Sequence, residues 1–164
     1  MDNIYSSEFE SPLGLLQIFS NESHITRISF NLSTSIENSH SSDLIERCKN
    51  QLDEYFKGKR KVFQLPIEAD GSDFQKKVWD EVSKIDYGKT STYNLIAKLL
   101  GGETYNRAVG LSNGANPLPI IIPCHRVIGS NGKLTGYAGG IEKKRWLLLH
   151  EMKNSNPSDL QKLF

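Results

Sequence analysis

The pattern of apolar and polar positions predicts a strand-rich first part of the chain. Short apolar or alternating runs cover residues 4–9, 15–19 and 25–30, and turn-forming residues separate them. This pattern is typical of an antiparallel meander of three strands. The Ser- and Asn-rich segment at residues 31–42 is expected to be a loop.

A helix and a further strand complete the first part. Apolar residues recur at helical spacing over residues 43–57, and Gly58 follows as a helix stop. Residues 62–67 have the pattern of another strand. We therefore expect residues 1–68 to form a small β-sheet that carries one helix.

Helical spacing dominates the second part of the chain. Ser72 and Gln75 fit a capping box ahead of a helix that Gly88 interrupts. Ser91 or Thr92 can cap the next helix. The apolar side of that next helix is expected to consist of Leu95, Ile96, Leu99 and Leu100.

Glycines then join two short helices. Gly101 and Gly102 end the capped helix, and a second one is predicted from Thr104 to about Leu111. Two short helices around a tight glycine turn indicate a helix-turn-helix. An apolar strand is expected next, over residues 120–128.

The C-terminal part contains a turn, a helix and a tail. Ser130, Asn131 and Gly132 are typical of a turn. A last helix is predicted over residues 142–151. The polar segment 154–164 has the composition of a loose tail.

Composition places the chain among globular proteins. Of its 164 residues, 37% are hydrophobic and 24% are charged, and no apolar run reaches the length of a membrane helix. The N-terminus lacks the basic and apolar regions of a signal peptide. We expect a cytoplasmic protein that binds no membrane.

Charge is unevenly distributed along the chain. Residues 1–70 carry 7 basic and 11 acidic side chains, whereas residues 71–153 carry 12 basic and 7 acidic ones. A polyanion would therefore bind to the second part. Without further motifs, this asymmetry is equally an ordinary variation in surface charge.

The two cysteines, Cys48 and Cys124, have different settings. Neither belongs to a C-x-x-C pair or to a zinc-spaced cluster, so we expect free thiols and no metal. Cys48 lies on the apolar stripe of its helix and is interpreted as a core residue. Cys124 follows a proline and precedes His125 and Arg126, which can both raise thiolate character. Alone, this pattern also fits an inert cysteine.

Neighbouring residues of an extended strand point to opposite faces. Cys124 and His125 therefore share a proton only if the chain turns sharply or a water lies between them. A histidine base also needs an acceptor on its other nitrogen. Glu151 is a candidate for that acceptor, although its spacing is equally that of a solvated residue at a helix end.

Several motifs resemble one family. The segment NPLPIIIPCHRVIGSNGKLTGYAGG, the upstream YGKTSTYNLIAKLLGGETYNRAVG and the downstream KKRWLLLHE are similar to the O6-alkylguanine-DNA alkyltransferases. The resemblance covers about residues 5–153. It implies an α+β fold, with a ribonuclease H-like domain at residues 1–68 and a winged-helix-like domain at residues 69–153.

The resemblance also implies roles for individual residues. Cys124 is similar to the alkyl acceptor, His125 to a base that acts through water, Glu151 to the carboxylate that orients it, and Asn116 to a brace of the active-site turn. The implied DNA-binding residues are Tyr93, Asn94, Arg107 and Ser130. The implied substrate pocket comprises Tyr137, Ala138, Val127 and Lys144, with the Cys124 and Val127 carbonyls reading the guanine edge.

The implied activity is direct repair of double-stranded DNA that carries alkylated bases. A monomer would bind through the minor groove, rotate the base out of the stack and transfer the alkyl group to Cys124 once, without a cofactor or metal. Ala138 replaces a serine of some members, which leaves O4-alkylthymine open as a substrate. The alternatives are a non-catalytic lesion-binding protein and a Cys-His-Glu hydrolase.

Overall fold

The protein is described here by a computed structural model that covers residues 3–31 and 40–155. These residues form two compact units, divided between Asp70 and Gly71. The predicted α+β fold is confirmed, with a three-stranded antiparallel sheet in the first unit and mainly helices in the second. Most of the predicted loop at residues 31–42, and residues 156–164 of the predicted tail, lie outside the described residues.

The sheet of the first unit is the predicted meander. Strands β1 (Tyr5–Ser11), β2 (Gly14–Ser20) and β3 (Ile25–Ser29) pair antiparallel in that order. A two-residue turn joins β1 to β2, where the Ser11 hydroxyl donates to the Gly14 carbonyl at 2.7 Å. Gly14 has φ of +101°, a conformation that glycine adopts without steric cost.

Helix α1 (Asp43–Phe56) packs on this sheet. The Ser42 hydroxyl caps it by accepting from the Ile45 amide at 3.1 Å. The core of the unit forms between one face of the sheet and the apolar stripe of the helix. Its buried side chains include Leu16, Ile18, Ile25, Ile28, Ile45, Cys48, Leu52 and Tyr55.

The strand predicted at residues 62–67 is wrong, apart from a single bridge between Ile67 and Ile25. The side chain of Gln51 explains the difference. Its Nε2 donates to the Gln64 carbonyl at 3.1 Å, and its Oε1 accepts from the Gln64 amide at 2.9 Å. A buried side chain thus replaces the strand partner that this backbone would otherwise need.

The second unit begins with the predicted capping box. Ser72 and Gln75 exchange side-chain and backbone hydrogen bonds at the start of α2 (Asp73–Ser83). Helices α3 (Tyr93–Leu99) and α4 (Asn106–Gly114) follow and contact each other. Inside the unit, the Trp79 indole donates to the Ser112 carbonyl at 2.8 Å and so joins α2 to α4.

The connection between α3 and α4 is the predicted glycine turn. Gly101 and Gly102 have φ of +137° and +145°, and a 3-10 turn at Glu103–Tyr105 leads into α4. The second helix therefore starts at Asn106 instead of Thr104 and continues to Gly114. The pair of helices retains the expected helix-turn-helix order.

The apolar side predicted for α3 is partly wrong. Ile96 and Ala97 are buried, but Leu95 is 53% exposed and Leu99 is 70% exposed. A helix of two turns contacts its neighbours along a narrow stripe, so apolar spacing alone overestimates how many leucines it buries.

Two short strands and a long helix complete the unit. β4 (Ser91–Thr92) pairs in parallel with β5 (Val127–Ile128), and α5 (Ile141–Ser155) contacts the residues that precede β5. The helix includes Asn154 and Ser155 of the predicted tail. Within residues 3–31 and 40–155, none of the helices has the length and apolar composition needed to cross a membrane.

Candidate active site

The strand predicted at residues 120–128 is wrong over most of its length, because its apolar half forms a buried turn. The Ile122 amide donates to the Leu118 carbonyl at 2.8 Å. Ile120 has φ of +77°, a left-handed conformation that is rare for β-branched residues, and its side chain is buried. Only Val127–Ile128 remains a strand.

The chain turns sharply again at the reactive segment. Pro123 has φ of −81° and ψ of 61°, and the Cys124 amide donates to the Ile122 carbonyl at 2.7 Å, which defines an inverse γ-turn. Cys124–Arg126 then forms one 3-10 turn. The chain therefore turns sharply at the cysteine, but within the described residues His125 Nδ1 makes no hydrogen bond to the thiol.

Asn116 braces these turns. Its Nδ2 donates to the Ile122 carbonyl at 2.8 Å, and its Oδ1 accepts from the Leu118 amide at 2.9 Å. Its side chain also acts to lower the pKa of the Cys124 thiol. The predicted brace thus lies at the turn that presents the cysteine.

The thiol of Cys124 is protonated at neutral pH. The residue is 4% exposed, and burial raises its pKa to about 11. The side chain of Asn116 and the charge of Lys144 act to lower this pKa but do not overcome burial. A base must therefore remove the proton before the sulfur becomes a nucleophile.

The histidine and the glutamate meet as the sequence predicts. His125 Nε2 lies 2.6 Å from Glu151 Oε2, and both side chains are buried. Helix α5 brings Glu151 against the 3-10 turn although 26 residues separate the two in sequence. The glutamate is therefore not a solvated residue at a helix end.

Arg126 holds the other side of this carboxylate. Its Nε donates to Glu151 Oε1 at 2.7 Å and its Nη2 to Oε2 at 3.1 Å. The Gly88 amide adds a third hydrogen bond to Oε1 at 3.2 Å. Burial acts to raise the pKa of Glu151, but His125 and Arg126 outweigh it and hold that pKa well below its usual range. Arg126 therefore stabilises the glutamate, and the sequence-based prediction that it activates the thiol is not supported.

These contacts determine the form of the imidazole. An ionised carboxylate only accepts hydrogen bonds, so His125 Nε2 carries the hydrogen and Nδ1 carries the lone pair. Burial lowers the pKa of His125, although Glu151 opposes this effect. Within the part of the chain that the structure describes, Nδ1 has no hydrogen-bond partner. His125 is thus a neutral base with a free acceptor nitrogen.

Lys144 connects α5 to the start of α3. Its side chain is fully buried, and its Nζ donates to the Thr135 carbonyl at 2.7 Å and to the Tyr93 hydroxyl at 3.2 Å. The charge of Lys144 lowers the pKa of Cys124, which places the cation in the field of the thiol. Tyr137 lies near the same thiol. The pKa of its hydroxyl is raised mainly by burial and then by the charge of Cys124.

The other predicted site residues, apart from Val127, lie further towards the surface. Arg107 is exposed in the first turn of α4, and Asn94 is half-buried in α3 beside Tyr93. Ser130 is exposed in the predicted turn, which the Gly132 amide closes on the Gly129 carbonyl at 2.8 Å. Ala138 is exposed, and Val127 is buried in β5.

Sequence reasoning missed Asn113 as a site residue. Its Nδ2 donates to the Cys124 carbonyl at 3.2 Å, and its side chain is 1% exposed. In the sequence, the Asn-Gly dipeptide indicates only a helix end. The local pattern contains no signal for the contact with the cysteine.

Two family models match this chain. The model for the 6-O-methylguanine DNA methyltransferase DNA-binding domain covers residues 73–153, and the model for the ribonuclease-like domain of the same proteins covers residues 4–69. The chain belongs to the 6-O-methylguanine DNA methyltransferase family. A methylated-DNA–protein-cysteine methyltransferase of Methanosarcina barkeri is 44% identical over 157 residues, which are 92% of this chain and 99% of the relative.

Solved structures agree with this assignment. The crystal structure of Mycobacterium tuberculosis O6-methylguanine methyltransferase has a TM-score of 0.84 and 37% identity, and the match covers 99% of this chain and 100% of that one. The Mycobacterium tuberculosis OGT in complex with DNA has the same TM-score and 40% identity, with coverage of 92% and 94%. The family assignment supports the methyltransferase over a non-catalytic lesion-binding protein.

Replacing Arg126 should destabilise the protein far more than replacing an exposed arginine. Arg126→Met leaves the Glu151 charge buried with fewer donors, and we expect the free energy of unfolding to fall by about 3–5 kcal/mol. The control Arg145→Met removes an exposed charge from α5 and should change it by less than about 0.5 kcal/mol. Denaturant unfolding measures both, and equal losses would contradict the assigned role of Arg126.

Proposed function

We propose that this protein repairs alkylated DNA directly, by transferring the alkyl group of O6-alkylguanine to Cys124. One observation carries the proposal: a buried, protonated thiol is followed directly in the chain by a neutral imidazole that an ionised carboxylate holds in a single tautomer. Such a thiol is unreactive until the base acts. Membership of the methyltransferase family supplies the substrate class.

The proposed reaction needs only the residues of this chain. His125 Nδ1 takes the thiol proton, directly or through a water, and Lys144 stabilises the thiolate. The sulfur attacks the alkyl carbon, so a carbon–sulfur bond forms while the bond between that carbon and O6 breaks. The electron pair stays on the guanine, which takes up a proton and is restored. The thioether is not reversed, so each molecule acts once, without a cofactor or metal.

DNA would bind to the helix-turn-helix of α3 and α4. The crystal structure of a similar protein with DNA supports this partner. We propose that α4 enters the minor groove, that Tyr93 and Arg107 extrude the target nucleotide and that Arg107 fills the space it leaves. Asn94 and Ser130 would contact the DNA backbone. Tyr137, Ala138 and Val127 would then surround the base. Monomeric state, cytoplasmic location and activity on O4-alkylthymine stay predictions.

A mass measurement tests the proposed reaction. Incubation with a duplex that contains O6-methylguanine should add the mass of one methyl group per protein molecule, mapped to Cys124. Cys124→Ser should gain no mass, because its hydroxyl is a far weaker nucleophile. Tight lesion binding without a mass gain in the wild-type protein would support a lesion-binding protein instead, and turnover without an adduct would support a hydrolase.

The rate should depend on pH in a way that identifies the base. The lowered pKa of His125 keeps the base neutral, so the wild-type rate should be flat from about pH 6.5 to 9 and fall only as lower pH protonates the imidazole. In His125→Ala the thiol must ionise unaided, and the rate should rise about tenfold per pH unit towards the thiol pKa of about 11. A wild-type rate that also rises tenfold per unit through neutral pH would exclude His125 as the base.

Replacing Arg107 should slow methyl transfer from duplex DNA but not transfer from a free base. Extruding a paired base costs a few kcal/mol, so Arg107→Ala should slow methyl transfer from a duplex by at least about tenfold. Transfer from the free base O6-benzylguanine should be unchanged, because that substrate needs no extrusion. Arg145→Ala removes an equal exposed charge from α5 and is the matched control. Equal duplex rates for the two variants would refute the proposed role.

A further inference from the structure

Leu111 is a large apolar side chain on the exposed face of α4. The buried face of this helix consists of Val109, Ser112 and Asn113. Leu111 is turned away from them and is 70% exposed. It therefore adds little to the core of its own unit, and the folding of that unit gives no reason for a leucine at this position.

The exposed leucine lies one helical turn after Arg107. Residues four apart share one face of a helix, so both side chains project from the same side of α4. Gly110 and Gly114 also lie towards this side, where they add no side chain. Arg107 and Leu111 are thus the two large side chains that this face of the helix presents.

The position of Arg107 on DNA determines which bases Leu111 can reach. Four residues of an α-helix rise about 6 Å, whereas successive bases of one strand are about 3.4 Å apart. If Arg107 fills the space of the extruded nucleotide, Leu111 lies beside the base pair one or two positions away. Leucine is among the apolar residues that proteins insert into the minor groove.

An apolar side chain in the minor groove distinguishes base pairs by one polar group. A·T and T·A pairs present only acceptors there, whereas a G·C pair adds the exocyclic amino group of guanine. Leu111 offers no acceptor, so an amino group that it covers loses its hydration without compensation. An A·T pair has no such group, and the leucine packs against its edge and the adjacent sugars with a smaller loss of hydration.

We propose that Leu111 packs into the minor groove beside the extruded nucleotide and makes methyl transfer faster where the neighbouring base pair is A·T than where it is G·C. This inference rests on the proposed methyl transfer from duplex DNA. It makes Leu111 a specificity-determining residue for the sequence that surrounds the lesion.

Pairs of duplexes that differ by a single amino group test this assignment. Each duplex contains O6-methylguanine among A·T pairs and one G·C pair, placed one or two positions from the lesion on either side. Its partner has inosine in place of the guanine of that pair. Intact mass gives the second-order rate constant of methyl transfer for each duplex. At one of these positions the wild-type protein should react about fivefold or more faster with the inosine duplex, because Leu111 then covers no amino group.

Two variants assign the effect to one leucine. In Leu111→Ala the inosine-to-guanine ratio of the rate constants should fall towards one. Leu99→Ala is the matched control, because Leu99 is also 70% exposed but belongs to α3, and it should retain the wild-type ratio. Both variants should react with the free base O6-benzylguanine at the wild-type rate, because that substrate brings no neighbouring base pair.

The ratio separates a contact with DNA from other roles of the leucine. Equal wild-type rates for guanine and inosine at every position would overturn the inference without any variant. A ratio that persists in Leu111→Ala would arise from the DNA alone and would overturn it too. So would a slower reaction of Leu111→Ala with O6-benzylguanine, because the leucine would then support the site from within the protein. Absence of methyl transfer from every duplex would refute the proposed function itself.

Discussion

The carboxylate of Glu151 is 1% exposed and receives hydrogen bonds from His125, Arg126 and Gly88. A buried charge is tolerated only when its oxygens are fully paired. The donors come from the 3-10 turn and from the loop after α2, and the acceptor comes from α5. Satisfying one charge therefore fixes three segments of the second unit and determines which imidazole nitrogen carries the hydrogen.

Local rules predicted the elements whose ends are encoded by nearby residues. The capping box at Ser72, the turn at Gly14 and the glycines before α4 each need only a few neighbouring side chains. The conformation of residues 120–128 could not be predicted this way, because the burial of an apolar segment does not determine its backbone conformation. The positive φ of Ile120 depends on packing and on the Asn116 side chain, which hydrogen bonds to the Leu118 amide and the Ile122 carbonyl on either side of Ile120.

The sequence predicted those site residues that are neighbours in the chain or that match the family motif. The Cys124–His125 pair is visible in the sequence, and Glu151 was a candidate partner for the histidine whose role the resemblance then supplied. Arg126 was assigned to the thiol because it is close in sequence, whereas its guanidinium contacts Glu151. Asn113 was missed because its contact with Cys124 connects the end of α4 to a different turn, a relation that no local spacing records.

The burial of Cys124 also protects the protein from oxidants. Peroxides attack the thiolate, and a thiol whose pKa is raised to about 11 contains little thiolate at neutral pH. Cys48 is equally shielded, since burial raises its pKa to about 12. A protein that reacts only once loses all of its capacity if its sulfur is converted to a sulfinic acid. Storing the nucleophile in its protonated form therefore preserves each molecule in the interval between synthesis and the lesion.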